Sequence, residues 1–304
     1  MKSHIELVTA SDLMVHIARL PGAAGVATER RMSTDEETGG ATTLLEFSAP
    51  WTQDRGYFAA DTEWFVISGS LTLGDRVVPA GGYYRAPRGL VISPLAVDAG
   101  TIAISFRDGP AGFVPSELNL AAFVPSGAQT MSGTPGELTV VSTSTMPWAA
   151  NFLSGDCQRH QMLESKLLYQ DPFPSWGPPL GGSTSLLRFP AGWRDELFEH
   201  EPHNVEVYIL SGTATYNFGQ LAPGRYVHRP AGVKSGDYLV GADQPLVMLV
   251  RNERYPRHWT TVDPTFEITA TALNYDPEDP YEAPGVVGLP LRSRSTGQFS
   301  SDIR

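Results

Sequence analysis

The sequence predicts an all-β protein made of two tandem barrels. Three observations support this fold class. Much of the chain repeats itself at a near-constant spacing, its apolar segments are short aromatic and β-branched runs, and 30 Gly and 25 Pro supply frequent turns. No segment of either repeat sustains the 3.6-residue apolar period of an amphipathic helix over three turns.

The repeat consists of two matched pairs of segments. Residues 41–51 match 183–193 at an offset of 142, and residues 63–89 match 206–232 at an offset of 143. The second pair aligns the following identical residues: Glu63, Ser68, Gly69, Gly81, Tyr83, Pro87 and Gly89 with Glu206, Ser211, Gly212, Gly224, Tyr226, Pro230 and Gly232. Matches at so constant an offset indicate the duplication of one β unit.

Local signals within each repeat define strands and turns. Trp64–Ile67 and Val207–Leu210 are predicted strands that end at Ser-Gly, and Pro-Gly clusters mark the turns that follow. From the repeats and the segments between them, we predict four regions: a first barrel, free of metal, at 12–118, a linker at 119–147, a second barrel with the candidate active site at 148–262, and an irregular extension at 263–304.

Composition restricts the partners and the compartment. A length of 304 residues suits two domains, and a net charge of −11 argues against nucleic acid as a partner. No apolar run approaches the roughly 18 residues that span a bilayer, so we expect no membrane partner. The N-terminus lacks the apolar block of a signal peptide, and the single Cys157 cannot form an internal disulfide. The expected location is therefore the cytoplasm.

Both repeats carry the pattern Gly-x-Tyr-x-x-x-Pro-x-Gly, at 81–89 and 224–232. This pattern, following a strand that ends in Gly, resembles the cupin superfamily, and the duplication resembles a bicupin. The resemblance implies two double-stranded β-helix (jelly-roll) barrels and a homodimer. It also implies a site for one divalent metal ion inside a barrel, although cupins perform many unrelated functions.

The cupin metal motifs match this sequence only in part. The first motif is His-x-His, three or four residues, Glu, six residues and Gly, and the second supplies one more His. Counted back from Gly212 with the four-residue spacer, the His positions fall on Phe198 and His200, and Glu206 stands one residue late. The second-motif His position falls on Ser235. Two expected histidines are therefore absent.

Two nearby histidines could compensate for them. We predict that His200, His203, Glu206 and His228 hold a divalent metal, Fe, Mn, Ni or Zn, because neutral imidazoles and a carboxylate suit these ions. On a regular strand His203 would point away from His200 and Glu206, unless a bulge near Pro202 turned one of them. A solvated loop of mixed charge, or a hydrogen-bonded barrel histidine at 228, would give the same sequence.

The remaining site predictions concern substrate contacts and the first barrel. Glu206 and His228 are the predicted catalytic residues. The predicted substrate-binding residues are Tyr226, Tyr208, Trp193 and Ser235. In the first barrel Tyr57 and Arg85 replace His200 and His228, while Glu63 is retained, so we expect this barrel to be a degenerate scaffold or a dimerisation half. The alternatives are an ion pair between Glu63 and Arg85 or an anionic ligand held by Arg85.

These observations predict a bicupin enzyme whose second barrel acts on a small organic acid or phenolic compound. A metal-dependent dioxygenase is the preferred reaction type, with Glu206 as a ligand or a general base. A metal-free isomerase or cyclase and a non-catalytic ligand-binding cupin are the alternatives.

Overall fold

The computed structural model describes residues 2–116, 137–150, 163–170, 182–201, 203–253 and 259–261. Within these ranges the chain forms β-strands, two 3-10 turns (Ala10–Asp12 and Thr143–Thr145) and no α-helix. Contacts divide the chain into two compact units. The first comprises Met1–Ser3 and Val8–Pro147, and the second comprises His4–Leu7 and Trp148–Arg304. In the described part of the chain, no helix is long and apolar enough to cross a membrane.

The first unit consists of a seven-stranded sheet, a five-stranded sheet and a two-stranded ribbon, all antiparallel. Its strands are β2 (Val15–Ala18), β3 (Ala23–Ala24), β4 (Ala27–Thr34), β5 (Ala41–Phe47), β6 (Trp51–Gln53), β7 (Gly56–Phe58), β8 (Thr62–Ser68), β9 (Ser70–Leu73), β10 (Arg76–Pro79), β11 (Gly82–Ala86), β12 (Leu95–Val97), β13 (Thr101–Arg107), β14 (Phe113–Pro115) and β15 (Thr139–Ser142). The large sheet has the order β15-β11-β8-β13-β5-β4-β2, and the smaller one β10-β9-β12-β6-β3.

The second unit has a seven-stranded and a five-stranded sheet. Its strands are β1 (Ile5–Thr9), β16 (Ala149–Ala150), β17 (Glu164–Gln170), β18 (Ser183–Phe189), β19 (Arg194–His200), β20 (Val205–Ser211), β21 (Ala214–Tyr216), β22 (Gly219–Leu221), β23 (Arg225–Arg229), β24 (Ser235–Val240), β25 (Leu246–Asn252) and β26 (Trp259–Thr261). The orders are β1-β23-β20-β25-β18-β17-β16 and β22-β21-β24-β19-β26.

The two units repeat one topology. The run β11-β8-β13-β5-β4 in the first large sheet corresponds to β23-β20-β25-β18-β17 in the second. The prediction of an all-β fold with two tandem jelly-roll barrels is confirmed. Strand β15 lies inside the segment predicted as a linker and pairs with β11. The predicted extension at 263–304 lies outside the described residues.

The two barrels fill their interiors differently. In the first, Phe47, Trp51, Trp64 and Tyr84 pack together. The ring centroids of Trp64 and Tyr84 are 5.4 Å apart, and those of Trp51 and Trp64 are 6.3 Å apart. The repeat offset places Val207 and Val227 at the positions of Trp64 and Tyr84. Because valine is much smaller than either aromatic residue, the second barrel has more unfilled space in its core.

Candidate functional site

The second barrel contains a cavity lined by both of its sheets. Its volume is about 90 Å³, whereas roughly 10–15 Å³ is enough for one water. Most of the wall is apolar and includes Leu187, Trp193, Val207, Val227, Leu246 and Met248. The polar lining residues are Ser185, Glu199, Glu201, Arg229, Tyr238 and Asn252. A small, largely apolar molecule with a few polar groups suits such a lining.

Strand geometry explains which side chains reach the cavity. Alternate residues of a strand point to opposite faces, and the inward-facing residues include Val205 and Val207 on β20 and Val227 and Arg229 on β23. On β19 a bulge between Asp195 and Phe198 shifts the register against β24. Beyond this bulge, Glu199 lines the cavity, and so does Glu201, two residues on.

Arg229 organises the polar end of the cavity. Its Nη1 donates hydrogen bonds to Ser235 Oγ at 2.8 Å and to the Tyr238 hydroxyl at 3.0 Å. Its Nε donates to Glu6 Oε1 at 2.9 Å. Burial acts to lower the pKa of Arg229, but Tyr238 and Glu6 outweigh it and raise that pKa well above its usual value. Arg229 is therefore a fixed cation within the barrel.

Tyr238 lies beside Arg229 in the cavity lining. Its hydroxyl donates to Ser235 Oγ at 2.8 Å, and its ring stacks on Tyr216 with centroids 5.4 Å apart. Burial raises the pKa of Tyr238 to about 12 against the opposing charge of Arg229, and the charges of Glu199 and Glu201 contribute to the rise. Two carboxylates, a tyrosine and an arginine thus line one largely apolar cavity.

The predicted catalytic pair lies on the other face of the sheet. Glu206 and His228 are direct neighbours on β20 and β23. Both are buried, at 5% and 1% exposure, but neither lines the cavity, because their inward-facing neighbours Val205, Val207 and Val227 do. Glu206 accepts hydrogen bonds from the Tyr226 hydroxyl at 2.6 Å and from Arg251 Nη1 at 3.4 Å.

The two other predicted ligands are also buried. In sequence, the buried His200 stands between Glu199 and Glu201, both of which line the cavity, whereas His200 does not. His203 Nε2 lies 3.3 Å from Asn252 Oδ1, so it contacts a residue of the cavity wall. Pro202, near which a bulge would be needed to turn His203 toward His200 and Glu206, lies outside the described residues.

The predicted metal ligands do not fit a metal ion in this arrangement. Among the residues that the structure describes, no three His, Cys, Asp or Glu side chains are grouped as a metal ion requires. Strand alternation is the reason, since it separates Glu206 and His228 from the barrel interior. Metal binding by this protein stays a prediction.

The predicted substrate-binding residues divide in the same way. Trp193 lines the cavity, and Ser235 supports two lining residues through its hydrogen bonds to Arg229 and Tyr238. Tyr208 and Tyr226 are buried on the face that carries Glu206, and neither lines the cavity.

Sequence reasoning missed Glu199, Glu201, Arg229, Tyr238 and Asn252. A signal for the first two was present. With the three-residue spacer that the cupin motif also allows, the two His positions fall on Glu199 and Glu201 rather than on Phe198 and His200. The barrel interior thus has carboxylates where the motif has imidazoles.

In the first barrel, the predicted pocket residues also lie away from the apolar core. Glu63 accepts a hydrogen bond from the Tyr83 hydroxyl at 2.9 Å, and Arg85 Nη2 contacts Asp61 Oδ2 at 2.6 Å. Glu63 and Arg85 are cross-strand neighbours, and Tyr57 lies on β7, paired with β14. The Tyr83–Glu63 bond is repeated in the second barrel as the Tyr226–Glu206 bond.

Comparison with known families gives a match over most of the chain. The family described as "Domain of unknown function (DUF4437)" matches residues 6–258. The chain belongs to this family. Among curated proteins, no relative matches it.

Solved structures share the fold at low sequence identity. A candidate dioxygenase from Nostoc punctiforme is 18% identical, with a TM-score of 0.67 and 82% of each chain covered. Protein YlbA from E. coli is 16% identical, with a TM-score of 0.52, over 81% of this chain and 89% of that one. A mutant oxalate decarboxylase from Bacillus subtilis is 13% identical, with a TM-score of 0.51, over 85% and 79%. These similarities support the cupin fold and leave the reaction open.

Proposed function

We propose that the second barrel binds a small phenol-like or enol-like molecule and transfers a proton to or from it. The observation that carries this proposal is the presence of Glu199, Glu201 and Tyr238 in the lining of a largely apolar cavity. The apolar wall would bury the body of the ligand, and a ligand hydroxyl would donate a hydrogen bond to a carboxylate.

The lining residues would divide the work of proton transfer. Glu199 or Glu201 would act as general base, since a carboxylate within hydrogen-bond reach can accept a proton from a hydroxyl or an acidic C–H group. Arg229 would stabilise negative charge that develops on the ligand, because a buried guanidinium is a strong electrostatic partner. Ser235 would hold Arg229 and Tyr238 in place. This is isomerase-type chemistry that needs no metal.

Binding of phenol, measured by isothermal titration calorimetry, tests the first part of the proposal. We expect Glu199→Gln and Glu201→Gln each to weaken binding about tenfold, because a hydrogen bond to a charged group is replaced by a neutral one. Glu196→Gln is the matched control, since Glu196 lies on the same strand with 70% of its side chain exposed. Equal phenol affinity in all four proteins would refute the proposed site.

Proton transfer needs its own assay. Exchange of the methylene hydrogens of phenylacetone with deuterated water can be followed by NMR. Wild-type protein should accelerate this exchange, and Glu199→Gln or Glu201→Gln should slow it at least about a hundredfold, a typical contribution of a general base. Binding of phenol without any accelerated exchange would leave a ligand-binding protein and remove the catalytic part.

A metal-dependent dioxygenase acting on a small organic acid or phenolic compound is the second candidate. The fold similarity to the candidate dioxygenase from Nostoc punctiforme favours it. The predicted ligands do not fit a metal ion, so we assign no step to one. Metal quantification after expression with and without added iron decides this candidate. A stoichiometric metal that chelators remove together with activity would support it, and substoichiometric metal would reject it.

The proposed homodimer and cytoplasmic location are separate from the site. Homodimerisation rests on the cupin resemblance, and the location rests on the single Cys157, which cannot form an internal disulfide. Sedimentation equilibrium of the purified protein would decide the first, and fractionation of the source cells the second.

A further inference from the structure

We propose that Glu6 determines which ligand charge the cavity of the second barrel accepts, because it is the counterion of Arg229. This inference rests on the proposed function, since it concerns the same cavity. It narrows the ligand class to uncharged molecules and assigns a specificity role to a residue at the far end of the chain.

The N-terminal segment places Glu6 beside the cavity. Residues His4–Leu7 belong to the second unit, and β1 lies next to β23 at the edge of its large sheet. Glu6 Oε1 accepts the Arg229 Nε–H bond at 2.9 Å, with the two side chains only 12% and 8% exposed. The Tyr216 hydroxyl donates to the other carboxylate oxygen of Glu6. Glu6 is thus a largely buried carboxylate held against Arg229, which is 223 residues away in sequence.

The charges around the cavity explain the expected selectivity. Among its described lining residues, Arg229 is the one cation, and Glu199 and Glu201 are the two carboxylates. Because Glu6 compensates Arg229, the described lining offers a carboxylate ligand no cation that lacks a counterion. An uncharged ligand with a hydroxyl donor does not need such a cation.

Three probes of similar size test the proposal: benzyl alcohol, benzoate and benzylamine. Their affinities are measured by calorimetry at pH 8. In Glu6→Gln, the ratio of benzoate affinity to benzyl alcohol affinity should rise about tenfold over wild type, because Arg229 loses its counterion. An unchanged ratio in folded Glu6→Gln overturns the inference.

Matched variants separate a local charge effect from a general one. Glu46→Gln removes a carboxylate that meets Arg30 Nε at the same 2.9 Å in the first unit, so the ratio should stay at the wild-type value. The double variant E6Q/R229Q restores the wild-type net charge and should restore the wild-type ratio. Arg229→Gln should instead raise the affinity for benzylamine relative to benzyl alcohol. A ratio that rises equally in Glu46→Gln also overturns the inference.

Two remaining outcomes are decisive as well. If Glu6→Gln is unfolded without ligand, benzoate should restore a cooperative unfolding transition and benzyl alcohol should not, because a ligand that binds only the folded state stabilises it. Absence of rescue overturns the inference. If wild-type protein binds neither phenol nor any of the three probes, the proposed function fails. In that case, binding of benzoate by Glu6→Gln but not by E6Q/R229Q would still support the role of Glu6. Absence of benzoate binding by Glu6→Gln would overturn the inference.

Discussion

Replacement of Glu6 by glutamine should destabilise the second unit strongly. The ion pair with Arg229 has an Nε–Oε1 distance of 2.9 Å, and its side chains are 8% and 12% exposed. Removing one partner of a buried pair leaves an uncompensated charge and costs about 3–5 kcal/mol. For a unit of this size, each kcal/mol lowers Tm by roughly 2–4 °C. The expected decrease in Tm is therefore about 6–20 °C.

Calorimetric unfolding of wild type and Glu6→Gln measures this decrease. Glu46→Gln provides the comparison, because its pair with Arg30 has the same distance but side chains 35% and 20% exposed. A pair exposed to this extent contributes only about 0.2–1 kcal/mol. Similar small losses in both variants would contradict the reasoning, since they would mean that Arg229 does not depend on Glu6.

Three further predictions concern the cavity, the turn at Gly212 and the pH dependence of stability. Val227→Tyr, which introduces the residue that Tyr84 supplies in the first barrel, should weaken phenol binding at least about tenfold in calorimetry while costing about 1–3 kcal/mol of stability; unchanged binding would place the ligand elsewhere. Gly212→Ala should cost about 2–3 kcal/mol in urea unfolding, because its Cβ would lie 2.3 Å from Pro245 O at φ +76°. Gly192→Ala, at φ +73° with open space, should cost less. The pKa of Tyr238 rises from 10.0 to about 12. Its contribution to the free energy of unfolding is therefore complete below pH 10, and about 2–3 kcal/mol of that free energy is lost between pH 10 and 12. Tyr238→Phe, measured by urea unfolding, should not lose this stability between pH 10 and 12. If the variant and the wild-type protein show the same pH profile, the prediction is wrong.

The fold could be predicted from the sequence because its signals are local. Gly69 and Gly212 end matching strands at φ +77° and +76°, a conformation that glycine adopts readily. Such turn residues, together with the repeat, define the strands and their order. Trp193, which aligns with Trp51 of the first repeat and was a predicted substrate-binding residue, lines the cavity wall.

The candidate site could be predicted only in part, because it depends on which face of each strand is inside. The cupin metal motif allows a spacer of three or four residues, and the choice between them moves the predicted ligand positions from His200 to Glu199 and Glu201. A shift of one residue exchanges the inner and outer faces of a strand. The bulge in β19 has the same effect and has no clear sequence signal. Glu206 and His228, predicted from the sequence as the catalytic residues, are cross-strand neighbours, and neither lines the cavity.

The amino-acid sequence by itself determined the duplicated all-β architecture, the turns and the absence of a regular cupin metal motif. Only the tertiary structure decided that Glu6 meets Arg229 and that valines at 207 and 227 leave a cavity. The physical reason is that turn and strand preferences act between neighbouring residues, whereas charge pairing and cavity volume depend on side chains brought together from distant parts of the chain.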